Sequence, residues 1–204
     1  MYPLVMVKKE FYIKESLKLF LKHGIRSVTI GQITKQLNVS SKTIYVLFED
    51  KTGLVYECFN LYKANTKKAF DEQVLASENV ADMLIRFYHQ AITGLSKVNP
   101  RFFNDLARYF PEIWDADDAF GIDQTKHLLQ KGIQEGIFYQ GMDQNLCAET
   151  ITLLLRSIFD RETFQQSPTQ QLLDNILWPY LRGICTPEGQ VAFREYRRKL
   201  MTSA

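Results

Sequence analysis

The sequence is poor in the residues that build catalytic, metal-binding or disulfide-stapled sites. It has three cysteines in 204 residues, at positions 58, 147 and 185. That number is odd, and no two lie at the spacing of a redox CxxC or a zinc-ligand pair. Buried free thiols in a reducing cytoplasm are the expectation. Only three histidines are present, at positions 23, 89 and 127, far apart along the chain. No HExxH, P-loop, nucleophile elbow or dinucleotide fingerprint occurs. An enzyme is therefore the weakest of the functional readings, and no metal or cofactor is expected.

Long apolar runs are also missing. No stretch approaches the ~18–20 consecutive apolar residues of a membrane-spanning helix. The first residues, MYPLVMVKKEF, carry a short apolar run before their charges and are not expected to act as a signal peptide. Proline (6) and glycine (10) are sparse, and they punctuate the chain singly rather than in low-complexity tracts. There is no internal repeat and no alternating run long enough for a strand. The expected fold is all-α, with about nine or ten helices.

Net charge is small, +2, but unevenly placed. Residues 1–51 hold nine Lys/Arg against four Asp/Glu, a net of +5, which leaves −3 for the rest. A basic head on a mildly acidic body is the footprint of a two-part molecule whose head meets a polyanion.

Residues 28–53, VTIGQITKQLNVSSKTIYVLFEDKTG, organise that head. Thr29 is a helix N-cap candidate, and Ile30, Ile33 and Leu37 form one apolar stripe behind it. Asn38 follows the stripe, and Asn tolerates the left-handed backbone of a sharp helix exit. Val39 plugs the turn. Ser40 is a second N-cap, for a helix over 41–48 with Ile44 and Phe48 facing inward. Ser41, Lys42, Thr43 and Tyr45 crowd the outward side of its N-terminal half. A helix-turn-helix offers the N-terminal residues of its second helix to base edges in the major groove. Asp50 caps the next helix, and Lys51 stands at its first turn. A cation there is mildly disfavoured by the helix dipole unless an anion, such as a DNA phosphate, lies over the helix end. A pair of packed helices with a solvated polar face would share much of this pattern.

Residues 10–54 resemble the DNA-binding domain of the TetR family of bacterial transcription regulators. The resemblance is carried by Leu17, Leu19, Phe20 and Gly24, then Thr29, Ile33, Val39, Ser40, Thr43, Ile44, Tyr45, Phe48 and Lys51, at matching spacing without a gap. It implies an N-terminal three-helix helix-turn-helix domain, 1–51, and a larger C-terminal helical bundle, 52–204, for ligand binding and dimerisation. It also implies that Ser41, Lys42, Thr43 and Val46 meet bases or nearby backbone of double-stranded DNA. Ser40 belongs to the same contact set. Tyr45 and Lys51 would hold phosphates, and Thr29 would do so from the second helix. Three positions depart from the family pattern. Asn38 replaces the usual glycine, Lys42 stands where many members have glycine or proline, and Leu47 replaces a frequent aromatic or histidine.

Around this motif the chain reads as successive helices. A first helix is expected over 8–23, ended by Gly24. A long helix over 51–76 is the candidate lever between head and body, with Leu54, Cys58, Leu61, Tyr62 and Asn65 on one face. Asn79 or Ser77 should cap a helix over 81–95. Asn99-Pro100 should start another, which Pro111 stops. The acids Asp115, Asp117 and Asp118 lack the glycine and closing glutamate of an EF-hand loop. They are read as the solvated start of a helix over 120–135. Asp143 should cap a helix to about 161 that is apolar on more than one side. Ser167-Pro168 opens a helix kinked at Pro179. Thr186-Pro187 opens a basic C-terminal helix, read as a solvated face.

The resemblance implies a homodimer joined through helices near 143–161 and 168–185, and a helix greasy on two sides, which must be covered twice, agrees. The resemblance implies a repressor that binds a near-palindromic operator and answers to a small apolar or aromatic effector. Tyr62, Phe87, Phe103, Phe110 and Trp114 would line the effector cavity, with His127 as a polar handle. A helical protein-interaction adaptor without DNA binding is the rival reading, and the basic head argues against it.

Overall fold

The computed structural model describes residues 2–95, 97–159 and 167–202. These are helical almost throughout: α1 (Tyr2–His23), α2 (Ile30–Leu37), α3 (Ser41–Phe48), α4 (Lys51–Ala76), α5 (Val80–Leu95), α6 (Arg101–Tyr109), α7 (Pro111–Gln134), α8 (Gln144–Phe159), α9 (Thr169–Leu172), α10 (Trp178–Gly183) and α11 (Pro187–Thr202). A π-helical turn, Leu173–Leu177, joins α9 to α10 without a break. Among the described residues the only β-type pairing is an isolated bridge between Phe138 and Cys185.

The expected caps form. Thr29 Oγ1 accepts the Gln32 N–H at 3.2 Å while Gln32 Oε1 accepts the Thr29 N–H at 2.7 Å, a reciprocal capping box. Ser40 Oγ accepts the Thr43 N–H at 3.1 Å. Asp50 caps α4 through the Gly53 N–H, Asn79 caps α5 through the Asp82 N–H, and Asp143 caps α8 through the N–H groups of Asn145 and Leu146. Asn38 adopts φ 51°, ψ 49°, the left-handed exit its side chain tolerates. Gly24 ends α1 at φ 82° with Arg101 packed so close that an added Cβ would lie 2.8 Å from the Arg101 Cβ.

Two helix starts differ from expectation. Helix α1 begins at Tyr2 rather than residue 8, because Pro3 falls in its first turn, where a missing N–H costs nothing. Helix α7 begins at Pro111 rather than residue 120, for the same reason. Pro111 thus starts a helix as well as ending one, and Asp115, Asp117 and Asp118 lie within α7 instead of preceding it; their side chains fall outside the described set. The exit from α3 also differs from a simple turn. Glu49 has φ 65°, ψ −57°, and the Asp50 N–H reaches the Phe48 carbonyl at 2.7 Å, a tight γ-turn that L-residues rarely adopt. Pro179 sits just past the π-helical turn, where an extra residue per turn relieves its clash with the preceding carbonyls.

The chain divides into two compact units, with boundaries inside α4, between α5 and α6, and inside α7. The first comprises Met1–Lys67 and Lys97–Asp115. Its core is Phe20, Ile25, Ile33, Ile44, Leu54, Cys58, Phe59, Phe102 and Leu106, all essentially fully buried. Each such side chain contributes roughly 1.5–3 kcal/mol of burial free energy. Asn65, expected on the inward face of α4, is exposed.

The second unit comprises Lys68–Ser96 and Ala116–Ala204. Val80, Met83, Leu84, Tyr88, Leu129, Phe138, Ile151, Leu177, Trp178, Leu181 and Phe193 form its continuous core. Trp178 meets Tyr88 and Phe193 edge to face, at 6.2 and 5.9 Å between centroids. The turn after α7 is stitched to the end of α10: the Tyr139 N–H donates to Ile184 and the Thr186 N–H to Ile137.

Candidate nucleic-acid interface

Helix α3 has one buried and one bare side. Ile44 and Phe48 are 0% and 4% exposed, one helical turn apart. Ser41, Lys42, Tyr45 and Val46 are exposed, and Thr43 and Leu47 lie at the margins. The Ser40 and Thr43 hydroxyls are 2.9 Å apart and engaged in the cap, which fixes the first turn of the helix. At about 100° per residue, Lys42 and Val46 point directly away from the core, flanked by Tyr45. Thr29 is exposed at the α2 N-terminus with its hydroxyl committed to the capping box. Lys8, Lys14, Lys22, Arg26, Lys35 and Lys42 are exposed on the same unit. Lys9 and Lys18 are tied to Glu57 and Glu15, both at 2.6 Å.

Lys51, at the first turn of α4, has a partner within the chain. Its Nζ donates to the Ile25 carbonyl at 2.7 Å, and the side chain is half-buried. Burial pushes its pKa below the usual lysine value, with Asp105 acting in the opposite direction. The ammonium thus braces the α1–α2 turn from the side of α4.

Sequence reasoning missed the second brace on that turn. The Asn99 N–H and Nδ2 donate to the Leu21 and Lys22 carbonyls at 2.7 and 3.1 Å, closing the C-terminus of α1. Asp105 Oδ2 accepts the Arg26 N–H at 2.7 Å, and the Arg26 guanidinium stacks on Tyr109, 4.7 Å from the ring centroid, while donating to its hydroxyl. Partners about eighty residues apart leave no local signal. Only the surplus of polar residues on the outside of α6 hints at them.

The six effector-cavity candidates are divided between the two units. Tyr62, Phe103 and Trp114 are clustered in the first unit: Tyr62 lies 5.8 Å from Phe103, and Phe103 lies 6.1 Å from Trp114. Phe110, half-buried, is the C-cap of α6 in the same unit. Phe87 belongs to the second unit and packs on Phe70 and Tyr88. His127, also in the second unit, is exposed, 3.8 Å from Asp123. An open cleft of about 750 Å³ in the first unit is lined by Leu19 and Val28 together with polar and basic groups, among them His23, Gln32, Lys35 and Arg101. Among the described residues no cluster of His, Cys, Asp or Glu suits a metal ion, and no helix is long and apolar enough to cross a membrane.

The described residues thus combine an all-α fold with an N-terminal helix-turn-helix whose second helix bares Ser41, Lys42 and Tyr45. Residues 13–58 match the family model of bacterial regulatory proteins, tetR family. The fold agrees over nearly the whole chain. A TetR-family transcriptional regulator from Cytophaga hutchinsonii superposes with a TM-score of 0.76 at 15% identity, covering 91% of this chain and 98% of its own. The reduced form of NemR from E. coli gives 0.71 at 14% identity, over 87% and 96%. The regulatory protein TetR from Rhodobacter sphaeroides gives 0.70 at 16%, over 85% and 96%. No curated protein sequence matches the chain. Residues 13–58 thus carry the DNA-binding motif of that family, and the chain shares the fold of these solved regulators.

Proposed function

We propose that the chain is a cytoplasmic, ligand-responsive repressor that binds a near-palindromic operator as a homodimer. The observation that carries the reading is α3 itself: Ile44 and Phe48 lock one side to the core while Ser41, Lys42, Tyr45 and Val46 stand bare on the other. Ser40, Ser41, Lys42, Thr43 and Val46 then meet the major groove, and Tyr45 and Thr29 meet phosphates. Lys51 acts on the same surface chiefly by fixing the turn between α1 and α2, with its remaining N–H groups available to a phosphate. In this reading residues 1–51 bind DNA, and residues 52–204 bind the ligand and the second subunit.

One head reads a short half-site and binds weakly. Two heads on a dyad read half-sites roughly 34–36 Å apart or a multiple of that. Helix α8 supports a dimer, because it buries Cys147, Ala148, Ile151 and Ile158 in its own core yet leaves Leu146 and Leu153 61% and 63% exposed, two turns apart on the opposite side. Together with the helices near 168–185, that side makes a four-helix interface with a second copy. The aromatic cluster of Tyr62, Phe103 and Trp114, beside Phe110, supports an apolar or aromatic effector. Ligand must bind one conformation better than the other to release DNA.

The test is selection of bound fragments from the source genome, followed by anisotropy on the recovered duplex. A near-palindrome bound by two copies of the chain, and released by an aromatic compound that also raises Tm, is the expected result. Recovery of no preferred fragment would overturn the proposal.

A further inference from the structure

The outward stripe of α3 consists of one long cation and one bare hydrocarbon. Lys42 and Val46 are four residues apart, so they stand one above the other on the side opposite Ile44 and Phe48. Val46 retains 74% of its surface, the largest exposed fraction among the apolar side chains of the helix-turn-helix. The neighbouring hydroxyls of Ser40 and Thr43 are engaged with each other and with the cap. The centre of this helix face therefore carries an isopropyl group that can neither donate nor accept a hydrogen bond.

Base edges in the major groove present a single apolar group, the 5-methyl of thymine. Against guanine or adenine an isopropyl group satisfies nothing, and against cytosine it would shield the N4 amino group from water. We infer that Val46 is a specificity determinant that selects a thymine in each operator half-site through its methyl group. The inference rests on the regulator reading above and deepens it. Lys42 sharpens the prediction. Its Cβ lies roughly 5–6 Å from that of Val46, or one to two base-pair steps at about 3.4 Å each. Its flexible amine then reaches the O6 and N7 acceptors of a guanine within about two steps of that thymine.

The experiment starts from the duplex that the full-length chain selects from a random pool. Each thymine of that duplex is replaced in turn by deoxyuridine, which removes the methyl group and nothing else. Binding is measured by anisotropy for the unmodified chain and for Val46→Ala. For the unmodified chain, one replacement per half-site should weaken binding about four-fold, the worth of one buried methyl-sized group. Val46→Ala should bind the thymine and deoxyuridine duplexes alike. A cytosine at the same position should weaken binding, and 5-methylcytosine should recover part of the loss. Val46→Ala lies on the surface and is the better helix former, so an unchanged urea midpoint shows that the fold is intact. The inference is overturned if no thymine shows methyl dependence, or if Val46→Ala keeps it. A chain that selects no duplex at all fails the regulator reading itself, and this inference with it.

Discussion

The Lys51 Nζ donates to the Ile25 carbonyl across 2.7 Å, tying the first turn of α4 to the loop between α1 and α2. The bond joins the segment that delivers the helix-turn-helix to the helix that leaves it. Asp105 faces the same loop from α6 through the Arg26 N–H.

Lys51→Met keeps the aliphatic stem and removes the donor. The Ile25 carbonyl then loses its charged partner in a half-buried site, and urea unfolding should show a loss of about 1–2 kcal/mol. The pH dependence has a definite sign. Burial depresses the lysine pKa in the folded state, so the folded chain holds this proton less tightly than the unfolded chain. Its contribution to stability is therefore fullest above the ordinary lysine pKa of 10.5 and is lost as pH falls through the lowered folded value. Across that alkaline window the parent should gain stability relative to Lys51→Met as pH rises. A difference between the two that stays flat, or runs the other way, would show that the amine is not desolvated.

Two backbone positions have opposite outlooks. Asn38 sits in the left-handed region at φ 51°, where a Cβ without a compensating side chain costs roughly 1–2 kcal/mol. Asn38→Ala should lower stability by about that amount, and Asn38→Gly should leave it nearly unchanged. Glu49, at φ 65° in the γ-turn after α3, gains nothing evident from its side chain there. Glu49→Gly should hold or raise stability, by up to about 1 kcal/mol, as measured by the midpoint of chemical denaturation.

Much of the head was legible because its rules are local. Thr29, Ser40 and Asp50 sit where an N-cap is needed, and Asn38 where a left-handed residue is needed, so the limits of α2, α3 and α4 follow from the sequence. Proline is ambiguous in a sequence: Pro3 and Pro111 lie in the first turns of helices, yet Pro111, following a helical run, has the pattern of a stop. Glu49 carries no turn signal, so the γ-turn was invisible. The brace of Asn99, Asp105 and Tyr109 on the α1–α2 turn was invisible for another reason, since it depends on tertiary proximity alone. The same limit applied to the effector candidates. Aromatic residues mark a core whether or not it is hollow, and spacing could not tell that Phe87 and His127 belong to a different unit from Tyr62, Phe103 and Trp114.

The dimer proposal makes α8 its most sensitive element. Leu146 and Leu153 are exposed in the single chain, so Leu153→Glu should leave its fold intact while placing a charge in the centre of the subunit contact. Sedimentation should then report a monomer, and operator affinity should fall by at least about a hundred-fold as the second head is lost. A dimer that survives both Leu146→Glu and Leu153→Glu would move the interface elsewhere.

The cysteines should be silent. Burial raises the Cys58 thiol well above its ordinary range, with Glu57 adding to the effect, and raises Cys185 to about 12. All three thiols are free and buried. A thiolate-selective reagent at neutral pH should label none of them in the native chain within minutes and all three in urea. Fast native labelling would contradict the packing of α4 and of the α10–α11 junction.

The measurement that bears most directly on the account is anisotropy on the selected duplex at increasing salt, with the parent chain and Lys42→Ala compared. For a dimer neutralising about six phosphates, affinity should fall on the order of a thousand-fold between roughly 50 and 200 mM salt. Lys42→Ala should bind more weakly at every salt concentration. Affinity that ignores salt, or a Lys42→Ala chain that binds as tightly as the parent, would contradict DNA recognition through the bare face of α3.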